Sequence, residues 1–238
     1  RRARILLDHL GVTTPLRSYF VGNEAERAVE LERHLAAGEV VALLTDAGTP
    51  GIADPGLTAV RAAIAAGAVV TGVPGPSAVT MALAVSGQPA DRFMFEGFLP
   101  RKGKERTARI AAIAAESRTT VFFAAPDRLA DDLADLAAAH DGPRPCVVAR
   151  ELTKLHEEVW RGSLDEAVEE WAGRDRVRGE VTVVLGAQEA SAPDLDTAIA
   201  AAHALIAAGV SPSEAVRRTA AETGVSRRSL YQRVVNSN

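Results

Sequence analysis

Val40-Val41-Ala42-Leu43-Leu44-Thr45-Asp46-Ala47-Gly48-Thr49-Pro50-Gly51 is the stretch that decides the fold. Its first five residues are apolar without a break. Such a run predicts a parallel strand buried on both faces, because a strand with one wet face would alternate. The loop that follows has two glycines, a small alanine and a carboxylate at the strand end, a composition that lets backbone come close to a ligand. Upstream, Asn23 and Glu26 have the spacing of a capping box. Ala28, Leu31 and Leu35 then share one helical face, and Gly38 suits the stop. Downstream, a helix expected over residues 56–66 leads to a second buried strand at 68–73. Pro74-Gly75-Pro76 follows, then Ser77, placed to cap a helix running to about residue 86. This β-α-β-α order predicts an open parallel sheet with helices against it.

Two further segments extend this start. Residues 92–190 open on a non-periodic linker, Phe93-Met94-Phe95-Glu96-Gly97-Phe98-Leu99-Pro100, and a basic stretch, Arg101-Lys102-Gly103-Lys104. Strands are expected at 119–124, 146–150, 157–162 and 181–185, and helices at 105–115, 127–140 and 164–172. The expected organisation is an α/β domain over residues 1–91, a second α/β domain over 92–190, and a helical module over 191–238. Ser191-Ala192-Pro193 reads as the linker before that module.

Bulk properties bound the function. The hydrophobic fraction is 47% of 238 residues, ample for a packed core. The net charge of −4 excludes a chain that binds polyanions along its whole surface. Cys146 is the one cysteine, so no internal disulfide and no multi-cysteine zinc site is possible. The histidines His9, His34, His140, His156 and His203 have no metal-ligand spacing, and no metal site is expected. The apolar run 62–70 is short and alanine-rich for a membrane span, and no signal-peptide pattern is visible. A cytoplasmic protein is expected. The opening Arg1-Arg2-Ala3-Arg4, directly followed by a helical pattern, looks like mid-element sequence.

In open parallel sheets, ligands bind beyond the carboxyl ends of the strands. Two loops leave strand ends here. One is Asp46-Ala47-Gly48-Thr49-Pro50. The other is Pro74-Gly75-Pro76-Ser77-Ala78, which ends at a helix N-terminus whose free amides suit an anion. Neither is a dinucleotide or Walker fingerprint. They spell a small-molecule crevice, or simply turns punctuated by glycine and proline. Asp46 reads equally as a ligand-binding group or as a cap, and Asp54 as a cap. Arg150-Glu151-Leu152-Thr153-Lys154 ends another strand and clusters both charge signs, which fits a site or a solvated face.

The C-terminal segment is more specific. Ala220, Gly224, Leu230 and Val234 have helix-turn-helix spacing, with a small residue against the first helix, glycine at the turn, and apolar seats for the second. Ser226 would cap that second helix, which carries Arg227, Arg228 and Arg233. Residues 213–235 hold five arginines against two glutamates, a net +3 on a chain whose remainder carries −7. Nucleic-acid contact explains this basic module, and a hairpin for folding or dimerisation is the alternative.

Taken together, the motifs resemble a known family. Thr45-Asp46-Ala47-Gly48-Thr49-Pro50-Gly51-Ile52-Ala53-Asp54-Pro55-Gly56 is similar to its "SDAGTP-x-x-x-DPG" signature. Pro74 to Ala78 is similar to its second loop, residues 95–104 to its "EGFLPRKG" linker, and residues 150–154 to its "RELTK" motif. The chain resembles the ribosomal RNA small-subunit methyltransferase I family of the tetrapyrrole-methylase superfamily. Two places depart from it. Nothing matches the family's N-terminal strand and "TPIGN"-like loop, and residues 1–11 look like the later helix of that region. Phe123-Ala124-Ala125-Pro126-Asp127-Arg128 stands where the family usually has "ESPHR".

The resemblance implies two α/β domains of tetrapyrrole-methylase type, a small helical module, a homodimer and no metal. It also implies transfer of a methyl group from S-adenosylmethionine (SAM) to a cytidine ribose 2′-hydroxyl in the decoding region of small-subunit ribosomal RNA. SAM would lie against Asp46, Ala47, Gly48, Thr49, Pro50, Pro74, Gly75, Pro76, Ser77 and Ala78. Glu151 and Lys154 are the candidate catalytic residues, with Asp46 as a third. Arg101, Lys102 and Lys104 would contact RNA phosphates together with Arg227, Arg228 and Arg233. A porphyrin or corrin methylase and a non-enzymatic nucleic-acid-binding protein are the rival classes.

Overall fold

The computed structural model describes residues 2–140, 142–187 and 195–235. The chain divides into two compact units, Arg1–Ala187 and Gln188–Asn238. The expected linker at Ser191-Ala192-Pro193 lies outside the described residues.

The first unit is built on one five-stranded sheet. Its strands are β1 (Phe93–Phe98), β2 (Thr119–Ala124), β3 (Pro145–Arg150), β4 (Glu158–Ser163) and β5 (Val181–Leu185), in the spatial order β1-β2-β5-β3-β4. The pair β1/β2 is parallel, and β2/β5, β5/β3 and β3/β4 are antiparallel. The sheet of residues 93–185 is therefore mixed, and the open parallel sheet expected over residues 40–73 is not formed. Four of its strands fall where the apolar runs place them. The fifth, β1, occupies the stretch read as a linker. It is a half-buried edge strand, so it shows no clean alternation. Its register slips between Phe95 and Phe98, where Gly97 has a φ of 64°.

Both faces of the central strands β2, β5 and β3 are covered, which explains why these three read as mostly apolar without alternation. Side chains alternate between two cores. Phe122, Cys146, Val148, Val183 and Leu185 point to one. There they meet α5 (Gly103–Ala114), α6 (Leu129–Ala139) and α7 (Leu164–Ala172) through Ile110, Ile113, Leu133, Leu136 and Trp171. Val121, Val147, Ala149 and Val184 point to the other, where Val79, Ala82 and Leu83 of α4 (Ala78–Ser86) cover them. A capping box starts α7, with Ser163 and Glu166 each bonding the other's backbone.

Ahead of α4 lie α1 (Arg2–His9), α2 (Glu24–Ala36) and α3 (Leu57–Ala65). The helix expected at the start of the chain is present. The two strands expected at 40–44 and 68–73 are not, because no neighbouring chain hydrogen-bonds with them as a sheet ladder. Nor are they buried. Val40 is fully exposed, Val69 is 94% exposed and Val73 is 91% exposed. The capping box expected at Asn23 and Glu26 is also absent. The Asn23 side chain instead accepts from the Phe20 amide and donates to the Ser18 carbonyl, fixing the turn before the helix.

The second unit is α8 (Leu195–Ala207), α9 (Pro212–Thr223) and α10 (Arg227–Val235). Ala198, Ala202, Val216, Val225, Leu230 and Val234 form its core, with Ala220 packed against it. Gly224 takes the left-handed conformation at the turn, and its amide bonds to the Ala220 carbonyl. The helix-turn-helix spacing is thus realised residue by residue. Among the described residues, no helix is long and apolar enough to cross a membrane.

Candidate functional site

The two loops picked from the sequence are tied to each other. Thr49 donates its hydroxyl to the Pro76 carbonyl at 3.0 Å, across 27 residues of chain. The first loop also folds on itself, as Thr45 donates to Asp54 at 2.7 Å. Asp54 is therefore held within the turn by Thr45, and it does not cap the helix that follows. At Gly56 a side chain would stand 2.9 Å from the Gly51 nitrogen, so the loop closes only over glycine there. The Gly56 amide is taken by Glu24, which also accepts from the Tyr19 hydroxyl.

Gly48 and Gly51 have φ values of 68° and 80°, a region that side chains disfavour. The space in front of both is open, with no atom within 4 Å of an added Cβ. The Asp46 carboxylate accepts from the Ala3 amide in α1, at 3.1 Å. Ser77 precedes α4 in an extended conformation and makes no side-chain cap bond. The α4 N-terminus thus keeps unpaired donors of the kind that bind a carboxylate. Two glycines facing open space and an uncapped helix end leave room and backbone donors for a small anionic group.

The sheet topology gathers the remaining motifs. Because β1, β2 and β3 run the same way, their carboxyl ends lie along one edge, beside the start of β4 and β5. That edge carries the basic turn after Phe98, the Ala125-Pro126-Asp127-Arg128 turn after β2, and Glu151–Lys154 after β3. Leu152 packs in the same cluster as Val79, one helical residue past the Pro74–Ala78 loop. So α4 brings the second glycine-proline loop to the motif that ends β3.

The turn after β3 is strained and full of charge. Glu151 and Thr153 have φ values of 52° and 66°, costly for residues with side chains and most of all for a β-branched one. The Glu151 carboxylate accepts from Lys154 at 2.6 Å and from the Glu180 amide at 2.9 Å. A Cβ on Gly179 would stand 2.4 Å from it, so glycine makes room for this carboxylate. Lys154 also reaches the Glu180 carboxylate at 3.0 Å. The Lys154 hydrogen bond holds Glu151 below the usual carboxylate range, aided by the Glu180 amide. Burial works to lower the Lys154 pKa, but the bonds from Glu151 and Glu180 outweigh it and raise the value. At neutral pH the group is an ammonium between two carboxylates. Glu180 escaped the sequence reading. Its one signal was an acidic residue directly ahead of a buried strand.

The basic turn is built as firmly. Leu99 is buried in the core, and the next carbonyl, that of Pro100, accepts from Arg106 at 3.0 Å and from Arg128 at 3.3 Å. Both guanidiniums also bond Asp132, at 2.8 and 3.3 Å. Burial pushes the Asp132 carboxyl up, against the pull of Arg106. Arg101, Lys102 and Lys104 stand exposed beyond this turn. Arg128 is the one charged residue common to this chain and the "ESPHR" pattern, and it sits in this network.

In the second unit, Arg227 and Arg228 are exposed at the start of α10, and Arg233 is exposed in its last turn. Ser226 places its hydroxyl 3.5 Å from the Ser229 amide, the expected cap in a long form. Arg217 and Arg218 both bind Glu214.

Residues 1–168 match the family of tetrapyrrole (corrin/porphyrin) methylases, and residues 190–236 match the RsmI C-terminal HTH domain. A ribosomal RNA small subunit methyltransferase I of Mycobacterium tuberculosis (strain CDC 1551 / Oshkosh) is 47% identical over 240 residues. The match covers 100% of this chain and 83% of that one. The chain belongs to this family. A member from Xylella fastidiosa (strain Temecula1 / ATCC 700964) is 44% identical, over 97% of this chain and 85% of its own. Among solved structures, the methyltransferase CobJ shares the fold. It has a TM-score of 0.54 at 21% identity, covering 74% of each chain. Membership supplies the frame in which the two tied loops and the charged edge of the sheet are read.

Proposed function

We propose that the protein transfers a methyl group from SAM to the ribose 2′-hydroxyl of a cytidine in the decoding region of small-subunit ribosomal RNA. The observation that carries this reading is 47% identity along the whole chain to a ribosomal RNA small subunit methyltransferase I. The helix-turn-helix unit with its exposed arginines supports an RNA substrate over a tetrapyrrole. In this reading residues 1–91 supply the cofactor loops, 92–190 the acceptor edge, and 191–238 an RNA-holding module. The enzyme works in the cytoplasm, as a homodimer, on the small ribosomal subunit or its RNA.

The SAM carboxylate would rest on the α4 N-terminus at Ser77 and Ala78, where backbone donors and the positive helix end favour it. The rest of the cofactor would lie along Asp46, Ala47, Gly48, Thr49, Pro50, Pro74, Gly75 and Pro76, with backbone groups doing most of the holding. Bound there, SAM supplies a methyl carbon already activated by its sulfonium. The chain's main task is therefore orientation, which is worth as much as ~7–11 kcal/mol when two reactants are held in line.

The acceptor hydroxyl must lose a proton as it attacks. Glu151 takes that proton, and Lys154 places its positive charge by the oxygen as negative charge develops. A carboxylate held below its usual range is a weak base, so its help belongs at the low end of the ~10²–10⁴-fold typical of general bases. Exposed Arg101, Lys102 and Lys104 hold phosphates beside the acceptor, and Arg227, Arg228 and Arg233 hold others.

The test is a transfer assay with methyl-labelled SAM and three acceptors: small ribosomal subunits, free small-subunit RNA and a tetrapyrrole precursor. Label in the RNA or the subunits is expected. Label in the tetrapyrrole alone would sink the RNA reading. RNA binding with no transfer to any acceptor would sink the enzymatic one.

A further inference from the structure

The basic turn at residues 101–104 is held by machinery that the reaction itself does not need. Two guanidiniums from different elements, Arg106 on α5 and Arg128 ahead of α6, converge on one carbonyl, that of Pro100. One carboxylate, Asp132, joins them from below. Asp135 completes the fork of Arg106, at 2.9 and 2.6 Å. The Arg106 and Asp132 side chains are only 10% and 3% exposed, so no RNA phosphate touches them.

Two arginines and two aspartates make this group neutral. The positive charge of the turn therefore resides on Arg101, Lys102 and Lys104, which form no ion pair among the described residues. A buried ion pair adds little stability over apolar residues of the same volume, but it fixes geometry. What it fixes here is the carbonyl directly before the three cations.

We propose that Arg106, Arg128 and Asp132 are positioning residues that preset the backbone of the basic turn from which Arg101, Lys102 and Lys104 reach substrate phosphates. This rests on the reading that the turn contacts RNA. A preset turn avoids the cost of ordering its backbone on binding. It acts on substrate affinity and leaves the cofactor loops and the chemical step alone.

The experiment is a coupling measurement in the full chain, with small ribosomal subunits as substrate. Arg106→Lys keeps the charge but cannot bond Pro100, Asp132 and Asp135 together. Arg128→Met removes the second donor from a less buried place and serves if Arg106→Lys does not fold. Each should raise KM for subunits about five- to tenfold, the cost of ordering about one residue of backbone. Meanwhile kcat and the SAM Kd should stay within about twofold. In a background carrying Arg101→Gln, Lys102→Gln and Lys104→Gln, the same changes should add almost nothing, because sites that act through one another are not additive.

A clamp with a merely structural role would lower kcat and SAM affinity too, or add fully to the triple variant, and either result overturns the proposal. An unchanged KM in the folded Arg106→Lys and Arg128→Met proteins overturns it as well, while a raised KM in the triple variant would leave the RNA reading standing. If the triple variant itself leaves KM unchanged, the RNA contact fails and the proposal fails with it.

Discussion

The segment before α4 and the sheet after it carry the same kind of sequence and meet different fates. Val40 to Leu44 is a run of five apolar residues, and Val181 to Leu185 has four with Thr182 among them. The second lies between β2 and β3 with every residue buried. In the first, Val40, Val41 and Leu44 are exposed and no ladder forms. An apolar run specifies that a strand wants two covered faces and two neighbours. Whether it gets them depends on the rest of the chain. Stability and function are thereby divided, with the packed core in α4 and the sheet that follows, and the glycine-rich loops ahead of α4.

The largest effect that tests this division is on stability. Leu133→Ala, at a site with no exposure, should cost ~2–5 kcal/mol in denaturant unfolding. Leu44→Ala, 51% exposed, should cost less than ~0.5 kcal/mol. Equal costs would mean that residues 40–44 are buried in the protein in solution, and the contrast would fall.

Next comes chemistry at the sheet edge. Glu151→Gln should lower kcat about 10²-fold, the low end for a general base, with SAM affinity little changed. The pH profile sharpens the point. Because Lys154 holds Glu151 below its ordinary 4.5, the rate should stay flat as pH falls to that range and drop only below it. A rate that already falls between pH 7 and 5 would assign the proton transfer to another group.

A smaller effect should come from the first loop. Gly48→Val puts a β-branched side chain at a φ of 68°, facing open space where the cofactor would lie. The SAM Kd measured by calorimetry should rise about tenfold, ~1.4 kcal/mol. An unchanged Kd in a folded variant removes this loop from the site. Smallest is the change at the second unit. Replacing Arg227, Arg228 and Arg233 with Gln should reduce the log–log salt slope of RNA binding by up to ~0.7–0.9 per lost phosphate contact. A slope equal to that of the parent would give the helix-turn-helix another role.

Much of this was legible in the sequence. The runs at 119–124 and 181–185 became strands to the residue, because β-branched and aromatic residues dominate both. The spacing of Ala220, Gly224, Leu230 and Val234 fixed a helix pair, since each position has a distinct packing duty. Strand direction was not legible. The runs at 146–150 and 181–185 look alike, yet they pair antiparallel, and only the connections decide that. Nor was β1, whose half-buried edge position erases periodicity. At the site, the motif loops were visible as unusual composition. Their mutual contact through Thr49 and Pro76 was not, nor was the Glu180 partner of Lys154, because both join residues more than twenty positions apart.

The most direct measurement concerns the methyl group's destination. Small subunits methylated with labelled SAM are digested, and the RNA is hydrolysed in alkali. Alkaline cleavage needs a free 2′-hydroxyl on the residue whose phosphodiester breaks. The account predicts that the label is recovered in an alkali-resistant dinucleotide whose first residue is a cytidine of the decoding region. Label released in an ordinary mononucleotide would place the methyl on a base and contradict the proposed chemistry.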